Sequence, residues 1–235
     1  LFTIGEELYV KGSDVFDYSK VTAKQAYVLD LSGAVGAAAR RAPSIISIKA
    51  EVKGKAAHAG FEPERGIHAI AVAAEAVTRL SMGHVDEDTT FNIGTINGGT
   101  ATNIVPDRCV VTGEIRSYDH SKALEYVKSM EKIFAEEADK AEATAEVTHQ
   151  VHLVAYETPV ESRTVKDFLN ACEKTGLPGT LTETFGGSDN NSFAKHGIEG
   201  LVLSCGMYRA HSTNEYTKIK DLYDGAELIR TLIEL

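Results

Sequence analysis

Residues 45–52 read Ile-Ile-Ser-Ile-Lys-Ala-Glu-Val, an alternation of apolar and polar side chains with the period of a half-buried β-strand. Downstream the period changes. Across residues 66–82 apolar side chains recur at helical spacing through Ile67, Ile70, Ala74, Val77 and Leu80. Residues 89–96 and 104–115 read as two more strands joined by the turn Asn97-Gly98-Gly99-Thr100. A second helix is predicted over 121–138 with Ser121 as its N-cap, then a strand over 145–153. The order β-α-β-β-α-β is that of a ferredoxin-like two-layer module, which hosts many unrelated chemistries.

On either side of this module the pattern is that of an α/β layer. Leu1 to Ile4 reads as a short strand end, Gly12 to Asp17 as a short helix, Asp17 to Ser19 as a turn and Ala26 to Asp30 as a strand closing on an acid. Beyond the module, 160–175 reads as a helix stopped by Gly176 and Pro178, and Phe185 to Asp189 as a tight polar turn. Leu201 to Cys205 reads as a buried strand and 221–235 as a closing helix. The expected organisation is one α/β domain, residues 1–42 and 154–235, interrupted by an inserted α+β domain over 43–153.

At 235 residues, with 43% hydrophobic and 25% charged side chains, the chain has the composition of an ordinary globular protein. A formal net charge of -10 argues against nucleic acid or an anionic membrane as partner, since both require clustered Lys and Arg. Its three cysteines, Cys109, Cys172 and Cys205, lie far apart and form no CxxC pattern. They read as reduced core thiols of a cytoplasmic protein.

Four polar positions follow apolar strands: Glu6, Glu7, Asp30 and His211. Strand ends in open α/β sheets are where ligand sites form, and carboxylates with an imidazole suit zinc or a similar divalent ion. An adjacent Glu-Glu pair can also divide the labour, one carboxylate on a metal and its neighbour handling a proton. Taken singly, each residue reads more simply as a solvated charge, a turn former or a surface histidine. No local motif of the HExxH kind joins them.

Six segments occur in an order that resembles the M20 family of metallopeptidases, on its peptidase T-like (tripeptide aminopeptidase-like) branch. They are Phe2-Thr3-Ile4-Gly5-Glu6-Glu7, Val28-Leu29-Asp30, Gly54-Lys55-Ala56-Ala57-His58-Ala59-Gly60, Gly98 to Asp107, Gly186-Gly187-Ser188-Asp189 and His211-Ser212-Thr213-Asn214-Glu215. The resemblance implies an incomplete zinc-peptidase-like catalytic domain carrying an inserted lid that also makes a homodimer. It implies two zinc ions in the complete site, with Glu7 and His211 on one, Asp30 on the other and Glu6 as general base toward a metal-bridging water. In the lid, His58 resembles the histidine that reaches across the dimer to the scissile carbonyl; otherwise it is a histidine in a small-residue loop. Asn103 and Arg116 resemble residues that hold substrate polar groups, Arg116 by a bidentate grip on a carboxylate; they read equally as a turn Asn and an exposed strand Arg. Gly187, Ser188 and Asp189 would shape the substrate pocket, with helix N-cap as the plainer reading of Asp189.

The family pattern begins with a His-x-Asp segment and a later bridging Asp, neither of which occurs in these residues. The chain is therefore expected to be N-terminally truncated and inactive toward peptides by itself, its parent being an aminopeptidase-type zinc exopeptidase of short peptides. A second departure is Leu31-Ser32-Gly33, where the family has a glycine run. Two alternatives stand beside the exopeptidase: an amidohydrolase that deacylates N-acyl amino acids, and a non-catalytic dimerisation module.

Overall fold

The computed structural model describes residues 1–235, which divide into two compact units: Leu1–Pro43 with Leu153–Leu235, and Ser44–His152. In chain order the elements are α1 (Lys11–Asp14), β1 (Gln25–Ser32), β2 (Ala37–Ala39), β3 (Arg41–Ala42), β4 (Ser44–Lys53), α2 (Ala69–Thr78), β5 (Gly83–His84), β6 (Thr89–Gly98) and β7 (Arg108–Ser117). They continue with α3 (His120–Lys140), β8 (Thr144–Leu153), β9 (Tyr156–Glu157), α4 (Arg163–Thr175), β10 (Thr180–Thr182), α5 (Asp189–Lys195), β11 (Glu199–Met207) and α6 (Ile219–Ile233).

The unit spanning Ser44–His152 is a five-stranded sheet of order β5-β6-β7-β4-β8 packed on α2 and α3. Strand β4 buries Ile46, Ile48, Ala50 and Val52 and turns Lys49 and Lys53 to solvent, as period-two alternation requires. Helix α3 meets the sheet through Ala123, Val127, Met130 and Phe134, spaced three or four residues apart. These side chains interlock with Ile46, Phe91 and Ile115 in a single apolar core. Truncating a fully buried Phe such as Phe134 costs roughly 3–5 kcal/mol.

Several boundaries differ from those predicted, each for a local reason. The N-cap of α3 is Asp119, not Ser121: its carboxylate accepts the N–H groups of Ser121 and Lys122 at 2.8 and 3.2 Å. Helix α2 starts only at Ala69, because Ile67 is paired with Lys55 in a β-bridge and the His68 ring caps the helix. The strand predicted from Ile104 begins at Arg108, since Ile104 bridges His58 and Pro106 brings no N–H to a ladder.

In the other unit, β1 runs parallel to β11, β11 antiparallel to β2, and β2 parallel to β10, with β1 at the sheet edge. Helices α4 and α6 cover it through Val165, Phe168 and Leu228, against Leu201 and Leu203. Ser162 caps α4, and Gly176 ends it in the left-handed conformation at φ 71°. Leu1–Ile4 is not a strand; Leu1 and Phe2 are exposed, and the first regular element is a 3₁₀ turn at Glu6–Leu8.

At Gly54 the bridge between Lys55 and Ile67 brings backbone so close that a β-carbon would lie 2.1 Å from the Ile67 carbonyl oxygen. Backbone cannot give way as a side-chain tip can, so Gly54→Ala is expected to destabilise by roughly 1–3 kcal/mol. Gly94→Ala, where a β-carbon meets only Asn92 Nδ2 at 3.9 Å, should cost less than about 0.5 kcal/mol. Urea unfolding of the two variants checks the difference.

Candidate active site

Four of the predicted polar residues of the first unit, Glu6, Glu7, Asp30 and Asp189, line one cavity. It measures about 730 Å³, and its wall also includes Tyr18 and Phe193. Glu6 and Glu7 sit in the 3₁₀ turn, which is flanked by Gly5, Tyr9 and Val10, all at positive φ (66°, 60° and 53°). This tight turn, rather than a strand end, aims the pair.

Asp30 reaches the cavity by a different device. It lies inside β1 rather than at its end, and the pairing of β1 with β11 skips it: Leu29 pairs with Leu203 and Leu31 with Ser204. That irregularity is a β-bulge, which re-aims the side chain of the extra residue. Leu31, where the family has a glycine run, stays within the strand, and the first positive φ after Asp30 is at Gly33.

Asp189 is the first residue of α5, not its cap. Ser188 is the N-cap, its hydroxyl accepting the Asn190 N–H at 3.3 Å while Asn191 Oδ1 accepts the Ser188 N–H at 3.1 Å. Gly187, just before the cap, is half-buried. One Asp189 oxygen accepts the Thr3 hydroxyl, and the other, Oδ1, is buried without a hydrogen-bond partner. Thr3 thus belongs to the site; it falls within the Phe2–Glu7 segment, but nothing in that segment marks it as the partner of Asp189.

The electrostatics follow from this crowding. Burial, then the charges of Asp30, Glu7 and Asp189, push the Glu6 carboxyl up to about 7, with His211 acting in the opposite direction. Asp30 is pushed up to about 6 by burial and by Asp189 and Glu7, again opposed by His211. His211 itself lies on an exposed loop with its Nδ1 3.8 Å from Glu7 Oε1.

Two carboxyls pushed upward by burial and neighbouring charge, an orphaned carboxylate oxygen and a facing imidazole have the donor chemistry of a divalent-cation site. The number converging is smaller than a complete site uses: no group of three or more His, Cys, Asp or Glu side chains is placed to hold a metal ion.

The remaining predicted residues lie in the second unit. His58 is exposed; its ring stacks on Phe61 at 4.3 Å and its Nδ1 accepts the Gly60 N–H at 3.2 Å. The loop bearing it runs antiparallel to the one bearing Asn103, with Ala59 N–H on the Asn103 carbonyl at 3.0 Å and Val105 N–H on the Ala57 carbonyl at 2.9 Å. Two segments well separated in the chain are therefore one structural element. Arg116, on β7, donates from Nε to Glu114 Oε1 at 2.6 Å.

Comparison with known proteins gives a consistent answer. Residues 42–142 match the peptidase dimerisation domain of M20 peptidases. Protein YqjE of Bacillus subtilis, itself uncharacterised, is 38% identical over 234 residues, covering 100% of this chain and 63% of YqjE. The crystal structure of aminopeptidase PepT from Bacillus cereus is 37% identical with a TM-score of 0.93, covering 99% of this chain and 62% of that one. A tripeptidase structure from Staphylococcus aureus is 34% identical with a TM-score of 0.95, covering 99% and 62%. The chain thus spans less than two thirds of the length of each of these relatives. With the fold, the inserted domain and these likenesses in agreement, residues 42–142 are an M20-type peptidase dimerisation domain, and the chain is similar over nearly its whole length to the aminopeptidase PepT and tripeptidase structures.

Proposed function

We propose that the chain is part of a cytoplasmic, homodimeric zinc exopeptidase that removes residues from the amino end of short peptides. The observation that carries this reading is the placement of Glu6 on one cavity wall with Glu7, Asp30 and Asp189, burial and these neighbouring charges pushing its carboxyl upward in the metal-free chain. A general base works best with a pKa close to the operating pH. Glu7 and His211 would hold one zinc ion and Asp30 the other. Bound zinc supplies a Lewis acid that polarises the scissile carbonyl and acidifies water.

Around it, the protein's own groups divide the remaining work. A Glu6 carboxylate oxygen takes a proton from the attacking water and returns it to the departing amine. Gly187, Ser188 and Asp189 shape one wall for the substrate. In the dimerisation domain, His58 would donate to the carbonyl oxygen as negative charge builds there. Asn103 and Arg116 would hold substrate polar groups, Arg116 on a carboxylate. With fewer than three donors placed around any one ion, residues 1–235 by themselves should bind zinc weakly and turn over no peptide.

The test uses the full-length protein. It should carry about two zinc ions per chain and hydrolyse free tripeptides in preference to N-acyl amino acids. Glu6→Gln should lower kcat roughly 10²–10⁴-fold with zinc retained. A protein that leaves tripeptides intact and deacylates N-acyl amino acids would establish the amidohydrolase instead; one that holds no zinc and hydrolyses neither would be a dimerisation module.

A second prediction concerns the metal-free chain. Because the Glu6 carboxyl is raised in the folded state from an ordinary 4.5 to about 7, the folded form binds the extra proton. The stability this contributes is fully present below about pH 4.5 and is lost as pH rises through about 7. Glu6→Gln should therefore raise the thermal midpoint relative to wild type at pH 8 and leave it nearly unchanged at pH 4. Calorimetric scans at the two pH values check the sign.

A further inference from the structure

The loop between β11 and α6 carries His211, and its conformation is held by contacts that hydrolytic chemistry does not itself require. Tyr208 and Tyr216 close its base, exchanging backbone hydrogen bonds at 3.0 and 3.1 Å as an isolated antiparallel bridge. Their rings stack with centroids 5.1 Å apart and planes 14° from parallel. Lys218 Nζ lies 4.7 Å from the centre of the Tyr208 ring, and the Tyr208 hydroxyl donates to Asp221 Oδ2 at 2.9 Å. Asp221 is buried in the first turn of α6, so the clamp is anchored to a helix rather than floating.

Inside the clamp the chain is bent against its ordinary preference. Arg209 and His211 both take positive φ, 55° and 62°, a conformation that residues with a β-carbon rarely adopt. At His211 the bend is held from within: the Glu215 carboxylate accepts the His211 backbone N–H at 3.1 Å. Left to itself a histidine backbone returns to negative φ, which swings the Cα–Cβ bond, and with it the imidazole, away from Glu7. Strain of this kind persists only where surrounding contacts over-determine it.

We propose that Glu215 and the Tyr208–Tyr216 pair are positioning residues, which hold His211 in the left-handed conformation from which its imidazole faces Glu7. The inference rests on the reading of His211 as a zinc ligand. None of the three touches the reacting atoms. Their effect on zinc binding is that of outer partners that orient a metal ligand, where substitution commonly costs ten- to a hundredfold in metal affinity.

Two measurements on the full-length protein separate this role from general stability. One is zinc affinity by competition with a chromophoric chelator; the other is the imidazole ¹H–¹⁵N spectrum of the metal-free form, with the His211 signals assigned from His211→Ala. Glu215→Ala should weaken zinc binding about tenfold and move the His211 ring signals while the thermal midpoint stays put. Glu215→Gln keeps an acceptor oxygen for the His211 N–H and should recover most of both effects. Tyr216→Ala, which removes the stacked ring, should resemble Glu215→Ala, and Tyr208→Phe should fall between. Unchanged zinc affinity together with unmoved ring signals in Glu215→Ala would overturn the proposal. If His211→Ala leaves zinc affinity unaltered, the ligand reading fails on its own account, and the ring signals still decide whether Glu215 orients the imidazole.

Discussion

Carboxylates that share a partly buried cavity repel one another, and the candidate site is built around that repulsion. Glu6 and Asp30 are both driven toward neutrality by burial and by the charges of Glu7 and Asp189, with the His211 imidazole opposing. A fold gains nothing in stability from such an arrangement, since each buried charge loses its hydration without gaining a fixed counter-ion. What it gains is a set of acceptors ready for positive charge. Asp189 Oδ1, buried and without a hydrogen-bond partner, is the clearest instance.

The backbone around the cavity carries the same signature. Tyr9 and Val10 follow the Glu6–Glu7 turn, and Arg209 and His211 form the imidazole loop. These are four of the five non-glycine residues at positive φ, the fifth being Glu142 after α3. The β1–β11 ladder is likewise broken in the same neighbourhood, at Asp30 and again between Leu31 and Ser32. Local irregularity concentrated near one site is what is expected where the geometry of a few side chains takes precedence over local preference. The Ser44–His152 unit is more regular, with long antiparallel ladders broken by one register shift between Ile93 and Thr95, two amphipathic helices and a single apolar core.

That contrast also explains how much could be read before any coordinates. Strands β4, β6 and β8 and helices α3 and α4 were legible because burial on one face imposes a period that the sequence must obey. The ferredoxin-like order followed directly. Boundaries were less legible where a side chain chose between two nearby partners. Asp119 outcompetes Ser121 as a cap, and Ile67 is claimed by a bridge to Lys55 before the helix can take it. Of the site, the residue types and their order could be recognised, but not the means of bringing them together. A bulge that skips Asp30 is a property of register between two strands, and the Thr3–Asp189 hydrogen bond joins residues 186 positions apart. The strand expected at Leu1–Ile4 failed for a related reason: an apolar run needs a pairing partner to become a strand, and composition does not supply one.

Within the dimerisation domain, two motif segments recognised separately turn out to be a single element. The Gly54–Gly60 loop lies along the Asn103–Asp107 segment through Gly54 N–H on Asp107, Ala59 N–H on Asn103 and Val105 N–H on Ala57. Each of these bonds is backbone to backbone, so the pairing requires only that the chains approach closely, which the alanines and glycines of the first segment permit. The pairing itself uses neither the His58 nor the Asn103 side chain, and both are exposed. Arg116 differs, since its guanidinium is already engaged by Glu114 on the same strand. If Arg116 grips a carboxylate as proposed, Glu114 is a partner that the incoming anion must share or displace, and exchanging Glu114 would alter the grip as well as exchanging Arg116.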